Sequence, residues 1–229
     1  NSDGSLDTSF GVGGEIKFGI GTSSDYLKSI NWSPSGDKLA VGGYYYNGSY
    51  TNCFVRVYNS DGSLDTNFGV GGESKFVVGS ISGLIESINW SPSGDKLAVG
   101  GDYYNVSNND CFVKVWDYTA AATSVALSGQ HSQKVINSEW LGTGASITVD
   151  ADGKAKLWDS SAGTLTGGLN SDTVPYVSAI CVDPTNTYIG QGTANGRVAI
   201  WNSSAALQTS FKAHTDWINS VSWASGTLS

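Results

Sequence analysis

The sequence predicts an all-β fold assembled from repeats, and three observations carry that prediction. Residues 1–58 are written again as residues 59–116: about 41 of the 58 aligned positions are identical, and SINWSPSGDKLAVGG at 29–43 recurs letter for letter at 87–101. A period of this length marks an architecture in which each copy is one supersecondary unit whose apolar face is covered by its neighbours. Thirty Gly, 11% aromatic residues and only 14% charged residues suit many short strands joined by tight turns. No stretch of helical periodicity exceeds two turns.

Within the first unit, residues 15–20 (EIKFGI), 27–32 (LKSINW), 38–43 (KLAVGG) and 53–58 (CFVRVY) are short segments of β-branched and aromatic residues, several alternating with polar ones. Turn chemistry separates them: SPSGD at 33–37, a Gly/Asn/Tyr stretch at 44–52 and NSDGSLD at 59–65. Four locally connected antiparallel strands per unit make the blade of a β-propeller. From residue 117 the period shortens to about 43 residues, with units over 117–159 and 160–202 and an incomplete one over 203–229. The fold expected is one β-propeller segment spanning 1–229, with about four complete blades and partial strands at both ends, near 15–20 and 217–223.

Several marks in the later units resemble the WD-repeat family. They are Gln130-His131 and Ala213-His214, the strand ending Leu157-Trp158-Asp159, the matching Ile200-Trp201-Asn202, and the turns Asp152-Gly153 and Asn195-Gly196 just before those strands. Such dipeptides tolerate the positive φ of a type I′ hairpin. The first two units are atypical. Their NSDGSLDT-x-FGVGGE connection is similar to a bacterial propeller repeat, and longer inserts, YYYNGSYTN at 44–52 and DYYNVSNND at 102–110, replace the short hairpin turn, part of the YYY run also reading as strand extension with alternate rings buried. The resemblance implies a segment of a larger, about seven-bladed ring that acts as an interaction scaffold. It also implies a structural tetrad of His131, Thr148, Asp152 and Trp158, in which both imidazole nitrogens are satisfied.

Reactive chemistry finds little footing. Three cysteines, Cys53, Cys111 and Cys181, form no paired pattern, and Cys53 and Cys111 occupy the same place in successive repeats. They read as small buried apolar groups in a reducing, cytoplasmic setting. Five N-x-[ST] sequons, at Asn31, Asn47, Asn89, Asn105 and Asn202, are the opposing sign of secretion. The Asp-Gly pairs lack the ligand spacing of a calcium loop, and GVGGE lacks the spacing of a phosphate cradle. A net charge of −8 opposes binding along nucleic acid, and no apolar run approaches the ~20 residues of a membrane span. No catalytic residue, metal site or cofactor is expected. The recurring Trp32, Trp90, Trp140 and Trp223, with Trp116, Trp158 and Trp201, read as inter-blade core. Trp217 falls off that pattern, beside a strand start.

One feature points to recognition. Tyr44, Tyr45, Tyr46, Tyr50, Tyr103 and Tyr104 cluster in the long connections between second and third strands, together with the carboxylates Asp25, Asp102 and Asp110. In a propeller these connections emerge on the same face as the links between blades, and these are also the places where the two near-identical copies differ most. Tolerant loops drift, but Tyr with Asn, Ser and Gly is also the composition of adaptable binding loops. The function expected is a noncatalytic scaffold that binds a peptide or protein surface, possessing acidity suited to a basic partner. The alternative is an extracellular or surface propeller of structural or glycan-binding type.

Overall fold

The computed structural model describes residues 2–21, 23–78, 82–104, 109–118, 123–126, 131–142, 144–169 and 176–224. Its strands fall into four antiparallel meanders, each with strands a to d in chain order. The first holds β1 (Asp25–Trp32), β2 (Lys38–Tyr46), β3 (Thr51–Asn59) and β4 (Glu73–Phe76). The second holds β5 (Ser82–Trp90), β6 (Lys96–Tyr104), β7 (Asn109–Asp117) and β8 (Thr123–Ala126). The third holds β9 (Val135–Leu141), β10 (Ala145–Asp150), β11 (Ala155–Asp159) and β12 (Thr164–Leu169). The fourth holds β13 (Val177–Val182), β14 (Tyr188–Thr193), β15 (Arg197–Asn202) and β16 (Leu207–Lys212). These are four-stranded propeller blades, and a single parallel bridge, Thr51 to Ser82, joins the first two into one sheet.

The repeated SPSGDK cassette shows why its strands turn where they do. Ser33 Oγ donates to Asp37 Oδ1 (2.9 Å) and accepts from Lys38 N (3.0 Å), so the side chains hold the a–b turn closed. Ser91, Asp95 and Lys96 repeat the arrangement in the second blade. In the fourth blade DPTNT reaches the same end with Asp183, whose Oδ1 accepts the amides of Thr187 (2.7 Å) and Tyr188 (2.6 Å). Gly69 and Gly72 in the FGVGGE connection sit at φ 55° and 90°, a left-handed backbone that glycine adopts without strain.

The core lies between blades. Val55, Val57, Phe68, Ile85, Ile88, Trp90, Leu97 and Phe112 form one cluster where the first two blades meet. Val113, Val135, Trp140 and Trp158 belong to a second, and Ile147, Leu157, Ile180, Ile189 and Trp201 to a third. Indole hydrogen bonds stitch neighbouring a strands: Trp90 Nε1 donates to Asn31 O (3.2 Å) and Trp140 Nε1 to Asn89 O (3.0 Å). Asp65, buried in the connection after β3, pairs with Lys38 Nζ (2.8 Å) and accepts from the Tyr118 hydroxyl at the end of β7. Cys53 and Cys111 are buried free thiols, and Cys181 is a partly buried one.

Three expectations need correction. Residues 15–20 form no strand beyond a bridge of Glu15 to Val12. The side chains nevertheless pack as an outer strand's would: Phe18 lies 6.1 Å from Phe54 just as Phe76 of β4 lies 6.0 Å from Phe112. A ladder needs a neighbouring strand to accept it, and side-chain packing does not. Residues 217–223 likewise form no ladder, although Ile218 is buried and its carbonyl accepts from Ser178 Oγ (2.6 Å). Trp32, read as inter-blade core, is 47% exposed in this chain where its repeat counterpart Trp90 is 4% exposed; among the described residues its ring meets that of Phe10, 6.2 Å between centres.

Candidate interaction face

The b–c hairpins and the segments entering each a strand share one face, as hydrogen bonds between them demonstrate. Tyr46 N donates to Ser24 O (3.2 Å), Ala151 N to Lys134 O (2.9 Å) and Ala194 N to Tyr176 O (3.0 Å). Val177 N reaches across blades to Gly153 O (2.8 Å). Every predicted binding residue is on this face, but the inserts are largely strand. β2 runs to Tyr46 and β3 starts at Thr51, so only residues 47–50 turn. Asn47 Oδ1 closes that turn by accepting the amides of Ser49 (2.9 Å) and Tyr50 (2.8 Å). Residues 105–108 of the second hairpin lie outside the described residues, as does Gln130.

Position along the hairpins divides the tyrosines: those inside the strands are half-buried, those at the strand ends and in the turn are exposed. Tyr44 is half-buried, stacked on Tyr26 with ring centres 4.9 Å apart, and Lys28 Nζ lies 5.7 Å from its ring centre. Tyr45 is half-buried beneath Lys75 Nζ at 5.4 Å, and Tyr103 packs against the core between the first two blades. Tyr46, Tyr50 and Tyr104 present their rings to solvent, Tyr46 with its hydroxyl on Gly48 O (3.0 Å). The carboxylates divide too. Asp25 is occupied with the preceding segment, accepting Ile20 N (2.6 Å) and Gly21 N (2.9 Å). Asp102 is partly buried, and burial, reinforced by Glu86, raises its pKa. Asp110 is partly exposed at the start of β7.

The tetrad contains a different acid from the one expected. His131 Nδ1 meets Asp150 Oδ2 at 2.8 Å and His131 Nε2 meets Thr148 Oγ1 at 2.6 Å; Trp158 Nε1 donates to the same Thr148 Oγ1 at 2.7 Å. Indole, hydroxyl, imidazole and carboxylate thus form one hydrogen-bonded chain in which both ring nitrogens of His131 have a partner. Asp150 Oδ1 also accepts the amides of Asp152 (3.1 Å) and Lys154 (2.9 Å), closing the b–c turn. Burial raises the Asp150 pKa, but the bonds from His131 and these amides outweigh it and hold the carboxyl low. Asp152 itself is exposed and donates only its backbone amide to the network. Thr148 and Asp150, two apart, share one strand face; Asp152 lies beyond the strand, in the turn.

Sequence reasoning missed a hollow on the same face. A cavity of about 460 Å³ opens between the third and fourth blades, walled by Ile136, Val177, Tyr176 and Trp217, with Asp152 and Asn219 among its polar lining. Tyr176 and Trp217 are 65% and 64% exposed. Tyr176 has φ 57°, a left-handed backbone rare for an aromatic residue. The off-pattern position of Trp217 was the one available signal. Among the described residues no cluster of His, Cys, Asp and Glu could hold a metal ion.

Comparison with known proteins agrees with the architecture. Residues 37–68 match a family model described as "Domain of unknown function (DUF5122) beta-propeller", and residues 72–117 match "WD domain, G-beta repeat". The WD match falls on a long repeat that ends in Trp116-Asp117, one of the two units read from sequence as atypical. The chain is similar in fold to a chain of the "Crystal Structure of Mitotic Checkpoint Complex", with a TM-score of 0.61 and 20% identity over 87% of this chain. It spans about half of that chain's length, 56%.

Proposed function

We propose that this chain, a run of β-propeller blades that carries a WD repeat, is a noncatalytic scaffold binding a peptide or protein surface through the b–c hairpin face. The observation that supports this reading is the gathering of solvent-facing aromatic rings, Tyr46, Tyr50, Tyr104, Tyr176 and Trp217, on one face of a strand framework. Rigid aromatics lose little conformational entropy on binding and dominate protein contacts. The charge of −8 favours a basic partner through attraction at encounter.

A reducing, cytoplasmic setting fits the free thiols; burial pushes Cys53 up to about 12 and Cys181 to about 11, so both stay protonated. The glycan-bearing alternative draws less support. Asn31 and Asn89 of two sequons are engaged between blades, Asn31 Oδ1 accepting Trp90 N and Asn89 Nδ2 donating to Ser138 O.

The test is an immobilised array of basic, neutral and acidic peptides probed with the chain and with a Tyr50→Ser/Tyr104→Ser variant. Selective capture by basic peptides that falls at least tenfold in the variant, at unchanged melting temperature, is the expected result. Equal capture by both proteins would remove the tyrosines from the binding face.

A further inference from the structure

We propose that the cavity between the third and fourth blades is a side-chain pocket for an arginine of the bound partner, an inference resting on the reading of this face as protein-binding. At about 460 Å³ it lies within the ~300–1,000 Å³ usual for binding pockets. Its walls supply the three contacts that a guanidinium on an aliphatic stem needs. Ile136 and Val177 offer apolar surface to the methylenes. Trp217 and Tyr176, both largely uncovered, offer aromatic faces on which a planar cation stacks.

Asp152 supplies the charge. Its carboxylate forms no ion pair among the described residues, and the neighbouring Lys154 turns its ammonium to Ser132 Oγ at 3.3 Å. A carboxylate accepts two parallel guanidinium N–H bonds, which lysine cannot match. The displaced role of Asp152 fits this assignment. The tetrad takes Asp150 for its acid, so nothing internal requires a carboxylate at 152.

The cavity is built by the same hydrogen bonds that lock the face together. Val177 N to Gly153 O and Ala194 N to Tyr176 O fix its walls before any ligand arrives. A Cβ at Gly153 would press on Tyr176 Cα at 2.5 Å, so the turn bearing Asp152 sits directly against the segment bearing Tyr176.

The test titrates N-acetyl-arginine methylamide into the 15N-labelled chain and follows the indole N–H resonance of Trp217, assigned by its loss in Trp217→Phe. Saturable movement of that resonance is expected, with the uncharged N-acetyl-citrulline methylamide at least tenfold weaker and Asp152→Asn abolishing the difference. The lysine analogue is expected to bind several-fold more weakly than arginine. Equal shifts from the citrulline compound, or arginine-induced shifts that spare Trp217, would overturn the proposal. Because the readout is confined to Trp217, it is independent of the array result: peptide capture lost with Tyr50 and Tyr104 but a silent pocket refutes only the arginine assignment. Arginine selectivity at Trp217 with no peptide capture refutes only the wider face.

Discussion

Ile88 of β5 drives its Cδ1 into the space that a side chain would occupy at Gly42 of β2. The same fit recurs at each described step around the arc where a glycine stands in strand b: Val135 Cγ1 would meet a Cβ on Gly100 at 2.9 Å, and Ile218 Cγ2 one on Gly192 at 2.6 Å. The first, second and fourth blades thus each offer a glycine socket to an aliphatic knob on the segment that follows. Gly42→Ala is expected to destabilise the chain by about 1–3 kcal/mol through overpacking. Ile88→Val, which removes the clashing methyl, should restore part of that loss in the double variant. Urea unfolding of the two single variants and the double variant checks it; strictly additive losses would show that the two positions do not meet.

The tetrad separates two neighbouring acids that sequence resemblance confuses. Asp150→Ala leaves a buried imidazole and two turn amides without their acceptor and should cost about 2–4 kcal/mol. Asp152→Ala, at an exposed site, should change stability by less than about 0.5 kcal/mol. Thermal melts of the two variants decide the assignment.

Glu139 on β9 is a carboxyl that burial pushes up to about 7, despite the hydrogen bond from Asn89 Nδ2 to its Oε2. A folded-state pKa above the unfolded value means the folded chain holds the proton longer. Stability from this site is therefore full below the unfolded pKa near 4.5 and is lost as pH rises toward 7. Glu139→Gln should melt like the parent at pH 5 and higher than it at pH 8, by an amount on the order of 2 kcal/mol. Equal melting at both pH values would place the carboxylate in water.

Asp65 behaves in the opposite sense. Burial raises its pKa, but the Lys38 ion pair and the Tyr118 hydroxyl overcome that and leave it below the ordinary carboxylate value. Its stabilisation is present above pH 4 and lost as pH falls through its folded pKa, which is lower still. Tyr118→Phe removes one inter-blade bond to this carboxylate and is expected to cost about 1–3 kcal/mol at pH 7. That cost should shrink in acid melts as Asp65 is protonated.

The strand–turn–strand cassette was legible because every cue in it is local. In SINWSPSGDKLAVGG the β-formers, the serine and aspartate of the turn and the paired glycines all act within a few residues of one another. The tetrad acid was misread because family position counts residues, whereas burial follows parity on a strand. Thr148 and Asp150 face the same way on β10, whereas Asp152, of the same parity, falls in the turn beyond the strand's end, where alternation no longer holds. The long tyrosine inserts were read as connections with strand extension through the YYY run as the alternative, and β2 and β3 take up all of the first insert except residues 47–50. The hollow left no trace in the sequence beyond the off-pattern Trp217. Its walls come from the b–c turn of one blade, the entry to the next and the segment after it, a meeting that only the packing of blades creates.

The duplicated cassette places one peptide in two surroundings. Ile30 is 58% exposed while Ile88, the same letter in the same fifteen-residue context, is 3% exposed. Local propensity, turn strength and unfolded-chain behaviour are shared by the two sites, so they cancel when the same substitution is made at each. The molecule therefore carries an internal reference: the difference between Ile30→Ala and Ile88→Ala isolates what a neighbouring blade adds to an aliphatic side chain, without a model peptide or a second protein for calibration.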